Sequence, residues 1–228
     1  SAKAELSDLN RRLSDEHVAI IGLGGTGSYV LDFMIKTPVK AITCVDYDIF
    51  EVHNAFRSPG ETDFADFGKL KSDVYRRRYE NFRHGLSFRK FKVGRTDDAQ
   101  LAGVTFVFVC IDDGESRAEI CDMLLRLRLP FIDVGMGIEL EHDKLDGLIR
   151  TTLFTEETDH LAINEVPIDR ANELGAYRTF VQIAELNALN AAIAVIQYKK
   201  LRGFYADESR YYQNFISLGS SNWIGEAP

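Results

Sequence analysis

The 228-residue sequence predicts an α/β fold: a mostly parallel sheet with helices on both faces, extended by antiparallel strands in the C-terminal part. Three observations lead there. A short apolar run at residues 18–21 enters a glycine turn, Gly22-Leu23-Gly24-Gly25-Thr26-Gly27, and residues 28–35 then read as a helix. Residues 104–111 are continuously apolar, as a central parallel strand covered on both faces must be. After Gly137 the alternation of strands and helices stops, and two strand-like runs joined by a polar turn take over.

The elements follow in order. Residues 4–16 carry Leu6, Leu9 and Leu13 at helical spacing and read as a short amphipathic helix. The strand and glycine turn come next, and Thr37-Pro38 closes the following helix, because the residue before proline is driven out of helical geometry. Residues 41–46 form the second strand. Residues 47–67 are expected to form a long loop, and loops of that length in compact domains tend to be functional. Residues 68–82 read as a helix with Leu70, Val74 and Tyr75 on one side and Arg76-Arg77-Arg78 as a solvated face. Strands follow at 87–93 and 104–111, a helix at 115–129 and a strand at 131–136 after Pro130. The antiparallel pair is expected at 138–141 and 148–154. Residues 155–178 are polar and irregular. Residues 180–200 make the strongest helix, apolar nearly all round and therefore buried, with Gly203 as its cap. Phe215-Ile216 reads as an edge strand.

Composition narrows the function. With 45% hydrophobic residues the chain can bury the core of a single domain, 1–228. Its nucleotide-binding part spans about 17–137; strands, a crossover loop and the buried helix occupy about 138–228. A net charge of −8 argues against nucleic-acid binding. No apolar run reaches the length of a membrane span, and no signal peptide is evident. Three cysteines, Cys44, Cys110 and Cys121, fit reduced thiols in a cytoplasmic protein and contain no C-x-x-C pair for zinc. The five histidines have no ligand-like spacing; His53 lies in the candidate site loop.

Gly22, Gly24 and Gly27 fit G-x-G-x-x-G, with Gly25 as an added glycine. Such a turn lets backbone N–H groups at a helix start approach a phosphate. Asp46 ends the second strand about 20 residues on, where nucleotide folds place an acid on the ribose. Asp48 and Asn54 follow it, then Arg57, then Gly68-Lys69-Leu70-Lys71, then Asp112-Asp113 with Arg117 after the fourth strand. Singly, these residues have plain readings: an acidic turn, solvated cations, a helix cap at Asp113, and an ion pair for Arg117.

Taken together and in this order, the five pieces over residues 18–137 resemble the ThiF/MoeB family and the adenylation domain of ubiquitin-activating enzymes. The resemblance implies a Rossmann-like fold and an ATP-dependent adenylyltransferase that converts the C-terminal carboxylate of a ubiquitin-like protein, typically ending in glycine, to an acyl-adenylate with release of pyrophosphate. Carried onto this sequence, it places Gly22, Gly24, Gly25 and Gly27 at the nucleotide, Asp46 on the ribose, and Asp48 and Asn54 at the nucleotide loop. Arg57 and Lys71 act on the phosphates, and Asp112 holds Mg²⁺. It also implies a homodimer and a downstream cysteine carrier or conjugating protein.

The chain departs from the family in two respects. No cysteine follows Cys121, so an own thioester cysteine is not expected, and the zinc-binding C-x-x-C pairs are missing. Arg11 and Arg12 are the only candidates for the arginine that some members insert into the neighbouring subunit's site. Two other classes stay open on the residues alone. An NAD-dependent oxidoreductase fits the glycine turn and Asp46 but gives Arg57, Lys71 and Asp112 no role. A catalytically inactive scaffold of the same fold would not need those charges.

Overall fold

The computed structural model describes residues 2–159 and 183–228; the sequence reading of residues 155–178 and the start of the last helix fall largely outside them. Five strands run parallel in the order β3–β2–β1–β4–β5, and three more add antiparallel as β6, β7 and β8. They are β1 (His17–Ile21), β2 (Ala41–Val45), β3 (Leu86–Arg89), β4 (Phe106–Val109), β5 (Phe131–Glu141), β6 (Lys144–Phe154), β7 (Gln213–Ser217) and β8 (Asn222–Glu226). The helices are α1 (Ala2–Arg11), α2 (Gly25–Met34), α3 (Val52–Ala55), α4 (Lys71–Tyr79), α5 (Gly114–Arg126) and α6 (Ala184–Leu201).

Strand periodicity sorts the core into two layers. From β1, Val18 and Ile20 face α2, α4 and α6, where they meet Val30, Leu31, Val74, Tyr75 and Ala194. Ala19 and Ile21 face the opposite layer, built on Ile120, Met123 and Leu124 of α5. The connection from β1 goes to β2 on one side, and β4 lies on the other. A crevice therefore opens at the carboxyl ends of β1 and β4, the topological switch point at which open α/β sheets bind ligands.

Helix α6 lies against β5, β6 and α2. Three of its buried amide side chains bond neighbouring elements. Asn190 donates to the Gly135 carbonyl at 3.2 Å, Thr26 donates to Asn187 at 2.9 Å, and Asn214 donates to Gln197 at 2.6 Å. Gly203, at φ +70°, ends the helix as expected.

Four expectations need correction. Residues 47–67 are not a plain loop: they hold α3 and a 3-10 turn at Phe64–Asp66. The helix expected from residue 68 starts at Lys71, because Gly68 turns at φ +82° and Ile49 then pairs antiparallel with Leu70, which is extended. The runs at 131–136 and 138–141 are one 11-residue strand, which turns through His142 and Asp143, both at positive φ, into β6. Phe215-Ile216 is not at an edge: β7 lies between β6 and β8, and β8 takes the edge.

Candidate functional site

The glycine turn leaves β1 at the switch point. Gly22 is held by its N–H to the Val45 carbonyl at 2.9 Å and has φ +94°; a Cβ there would lie 2.6 Å from the Cys110 carbonyl oxygen. A Cβ on Gly27 would lie 1.9 Å from the Gly22 carbonyl oxygen, and one on Gly25 would run into Asn187 of α6. These three glycines are demanded by the protein's own packing. Gly24 is not: its φ is −72° and a Cβ would meet no protein atom within 4 Å. Gly24 is also the N-cap of α2, whose first-turn N–H groups have no partner within the helix. A glycine that neither backbone nor packing requires, placed at a helix N-terminus, fits close approach of a phosphate.

Asp46 braces this turn. Its buried carboxylate accepts from the Leu23 N–H at 2.6 Å and the Asp48 N–H at 2.8 Å. Burial raises its pKa above the usual carboxylate range, while the Lys71 ammonium and the two N–H donors oppose that rise. One carboxylate therefore fixes the glycine turn to the end of β2. Asp48 accepts from Lys71 Nζ at 2.9 Å, and the Asp48 carbonyl accepts from the Lys71 N–H at 2.8 Å. The Lys71 side chain is 8% exposed, against 52% for Asp48. The ammonium is held in the wall with its counter-ion turned to solvent.

Arg57 follows α3. Its Nε is buried and makes no hydrogen bond among the described residues. Burial lowers the guanidinium's pKa, and the charges of Asp112 and Tyr75 oppose that shift. Asp112 is exposed and Asp113 is not equivalent to it: Asp113 caps α5, accepting from the Ser116 N–H at 2.9 Å. Asn54 is 3% exposed, and its Oδ1 accepts from the Glu51 N–H at 2.8 Å, closing the first turn of α3. That bond assigns it to shaping the loop before Arg57.

The charged face expected on α4 is solvated at Arg76 and Arg77 but not at Arg78. Arg76 pairs at the surface with Asp73; Arg77, half exposed, and the largely buried Arg78 both bond the buried Asp66. Tyr75 is buried on the helix side where its spacing with Val74 put it; the bonds from Arg77 and Arg78 to Asp66 have no signal in the sequence beyond the spacing of Lys71, Tyr75 and Arg78, which share one helix face. Arg117 pairs with the fully buried Asp133 at 3.9 Å, and Arg150 also bonds Asp133. Exposed His53 lies 3.3 Å from Glu51. Arg11 pairs with Asp8 and Arg12 donates to the Gly203 carbonyl within the same chain. All three cysteine thiols are driven well above their usual pKa, chiefly by burial. Among the described residues no three metal-ligating side chains gather, and no helix is long and apolar enough to cross a membrane.

The ThiF family matches residues 4–201. The chain belongs to the ThiF family. Ubiquitin-like modifier-activating enzyme 5 of Drosophila pseudoobscura pseudoobscura is 30% identical over 125 residues, covering 48% of this chain and 31% of that protein. The molybdopterin-synthase adenylyltransferase of Salmonella typhimurium is 26% identical over 132 residues, covering 57% and 52%. The tRNA threonylcarbamoyladenosine dehydratase of Haemophilus influenzae is 24% identical over 128 residues, covering 54% and 49%. The chain thus spans about a third to a half of the curated relatives' lengths. Among solved structures, E. coli MccB with ATP superposes with a TM-score of 0.70 at 17% identity, over 96% of this chain and 65% of that one. That likeness confirms the mixed α/β architecture, parallel with antiparallel C-terminal strands.

Proposed function

We propose that this chain is an ATP-dependent adenylyltransferase that activates the C-terminal carboxylate of a ubiquitin-like protein. The observation that carries the reading is the buried Arg57 Nε without a hydrogen-bond partner among the described residues, beside a glycine turn that is unobstructed at Gly24. A dinucleotide site needs the turn and Asp46; it does not need a half-buried cation and a second ammonium beside them. Family membership and the names of the relatives support the same class.

In this reading a carboxylate oxygen of the partner attacks the α-phosphorus of ATP. The new O–P bond forms as the bond to the β-phosphate breaks, and the pyrophosphate leaves with that electron pair. The N–H groups at the start of α2 hold phosphate oxygens, and the Asp46 carboxylate accepts from the ribose with the lone pairs its two backbone donors leave over. Lys71 and Arg57 supply positive charge to the phosphoryl oxygens and the departing pyrophosphate. Mg²⁺ takes one or two protein carboxylates together with substrate phosphates, and the exposed Asp112 suits that need; bound there, Mg²⁺ would offset phosphate charge. The buried, high-pKa cysteines Cys44, Cys110 and Cys121 lack thiolate character, so none of the three is the acyl acceptor. A homodimer belongs to the same proposal.

The test is exchange of labelled pyrophosphate into ATP in the presence of small proteins ending in glycine. Exchange that needs the free terminal carboxylate supports the reading. Exchange driven only by a short peptide would move the substrate class, and binding of nucleotide without exchange to any carboxylate would favour an inactive scaffold.

A further inference from the structure

Arg78 lies outside the crevice, yet it touches the segments that carry Asp48 and Arg57 and rides on the helix that carries Lys71. Its side chain is 10% exposed. Nη1 donates to the Pro59 carbonyl at 3.0 Å, two residues after Arg57. Nη2 donates to Thr62 Oγ1 at 3.3 Å and to Asp66 Oδ2 at 3.2 Å. The guanidinium lies 5.2 Å from the Phe50 ring, two residues after Asp48, and 5.3 Å from the Tyr75 ring. Tyr75 is on the same face of α4 as Lys71, one turn on. Burial raises the Tyr75 phenol's pKa, while Ser58, Ser28, Arg78 and Lys71 oppose that rise. Asp66 supplies the anion: it is fully buried, also accepts from Asp63 N–H at 3.1 Å, and takes Arg77 on its other oxygen.

We infer that Arg78, anchored by Asp66, is a positioning residue that sets Arg57 at a fixed distance from Lys71. The reasoning is geometric. Arg57 makes no hydrogen bond of its own through Nε, so its place is set by the backbone on either side. Before it stands the Asn54–Glu51 turn; after it the first side-chain tie on the backbone is Arg78 to Pro59. Because Arg78 and Lys71 ride on one helix, that tie couples the two cations. A planar five-donor fork can serve Pro59, Thr62 and Asp66 together; a lysine ammonium at the same place keeps the charge but cannot span all three. The role of this clamp in the reaction rests on the adenylation reading above.

The experiment uses the full chain with Arg78→Lys, Arg57→Ala and the double variant. In the nucleotide-free protein, the Nε–H resonance of Arg57 is followed by ¹⁵N NMR. It should shift and broaden in Arg78→Lys; an unmoved resonance overturns the inference whatever the enzyme does. In pyrophosphate exchange, Arg78→Lys should lower the turnover between about tenfold and a hundredfold, as expected for a misplaced group, with the KM for ATP changed little. In the Arg57→Ala background the same substitution should cost nothing further; equal fractional losses in both backgrounds would mean a structural role and overturn it. Wild-type protein that exchanges with no carboxylate refutes the adenylation reading, and the resonance still decides the clamp. Where Arg78→Lys fails to fold, Asp66→Asn, which removes the anchor's charge and keeps its shape, takes its place in both measurements.

Discussion

At the scale of residues, the glycines divide into those the protein needs and one it does not. Gly27→Ala puts a Cβ 1.9 Å from a backbone oxygen, a clash between backbone and backbone that no side chain can relieve; thermal melts should show a large loss of stability. Gly24→Ala meets no protein atom, so its melting temperature should match that of the wild type while ATP affinity falls at least about tenfold, because a methyl group would crowd a phosphate at the helix start. Equal loss of stability in both variants would contradict the assignment. Lys71→Ala should lower pyrophosphate exchange by about 10²–10³-fold, the range seen when one preorganised donor to a developing charge is removed. The four glycines, Asp46 and Lys71 were readable as residue types at fixed spacing. The Nε of Arg57 was not, since whether a buried donor has a partner depends on the fold around it.

At the scale of elements, charged residues within regular structure carry two distinct costs. Asp133 in β5 is fully buried between Arg150 and Arg117. Asp133→Ala leaves two guanidinium groups in the interior without their anion, and urea denaturation should show a loss of about 3–5 kcal/mol. Asp113 shows the milder case at the start of α5. Its pKa is held below the usual carboxylate range, first by the bond to Ser116. A carboxylate depressed in the folded state adds stability above its unfolded pKa and loses it as pH falls through the folded one. Asp113→Asn should therefore cost a few tenths of a kcal/mol at pH 7, and the difference should close below about pH 4; a constant difference across that range would deny the charge any part. Element types were legible from periodicity: strands β1, β2 and β4 and helices α2, α5 and α6 lie within a few residues of where their patterns put them. What periodicity could not show was pairing at a distance. The bridge between Ile49 and Leu70 delays α4 to Lys71, and Asp66 draws Arg78 inward although it sits in what looks like a solvated run.

At the scale of the whole molecule, the chain gathers its chemistry at one end of the parallel sheet. Asp46 ends β2, the glycine turn ends β1 and Asp112 follows β4, three strands that are neighbours in space but far apart in sequence. This is why the candidate site could be read from motif order, whereas its depth and its hydrogen-bond partners could not. The antiparallel strands β6–β8 extend the sheet away from the crevice, so the fold alone leaves the site's nucleotide undecided between two chemistries. A calorimetric titration of the full chain, with ATP and Mg²⁺ in one run and NADH in the other, tests that most directly. The account predicts saturable binding of ATP, weakened in Gly24→Ala and Arg57→Ala, and no heat from NADH. Saturable binding of NADH with none of ATP would contradict it.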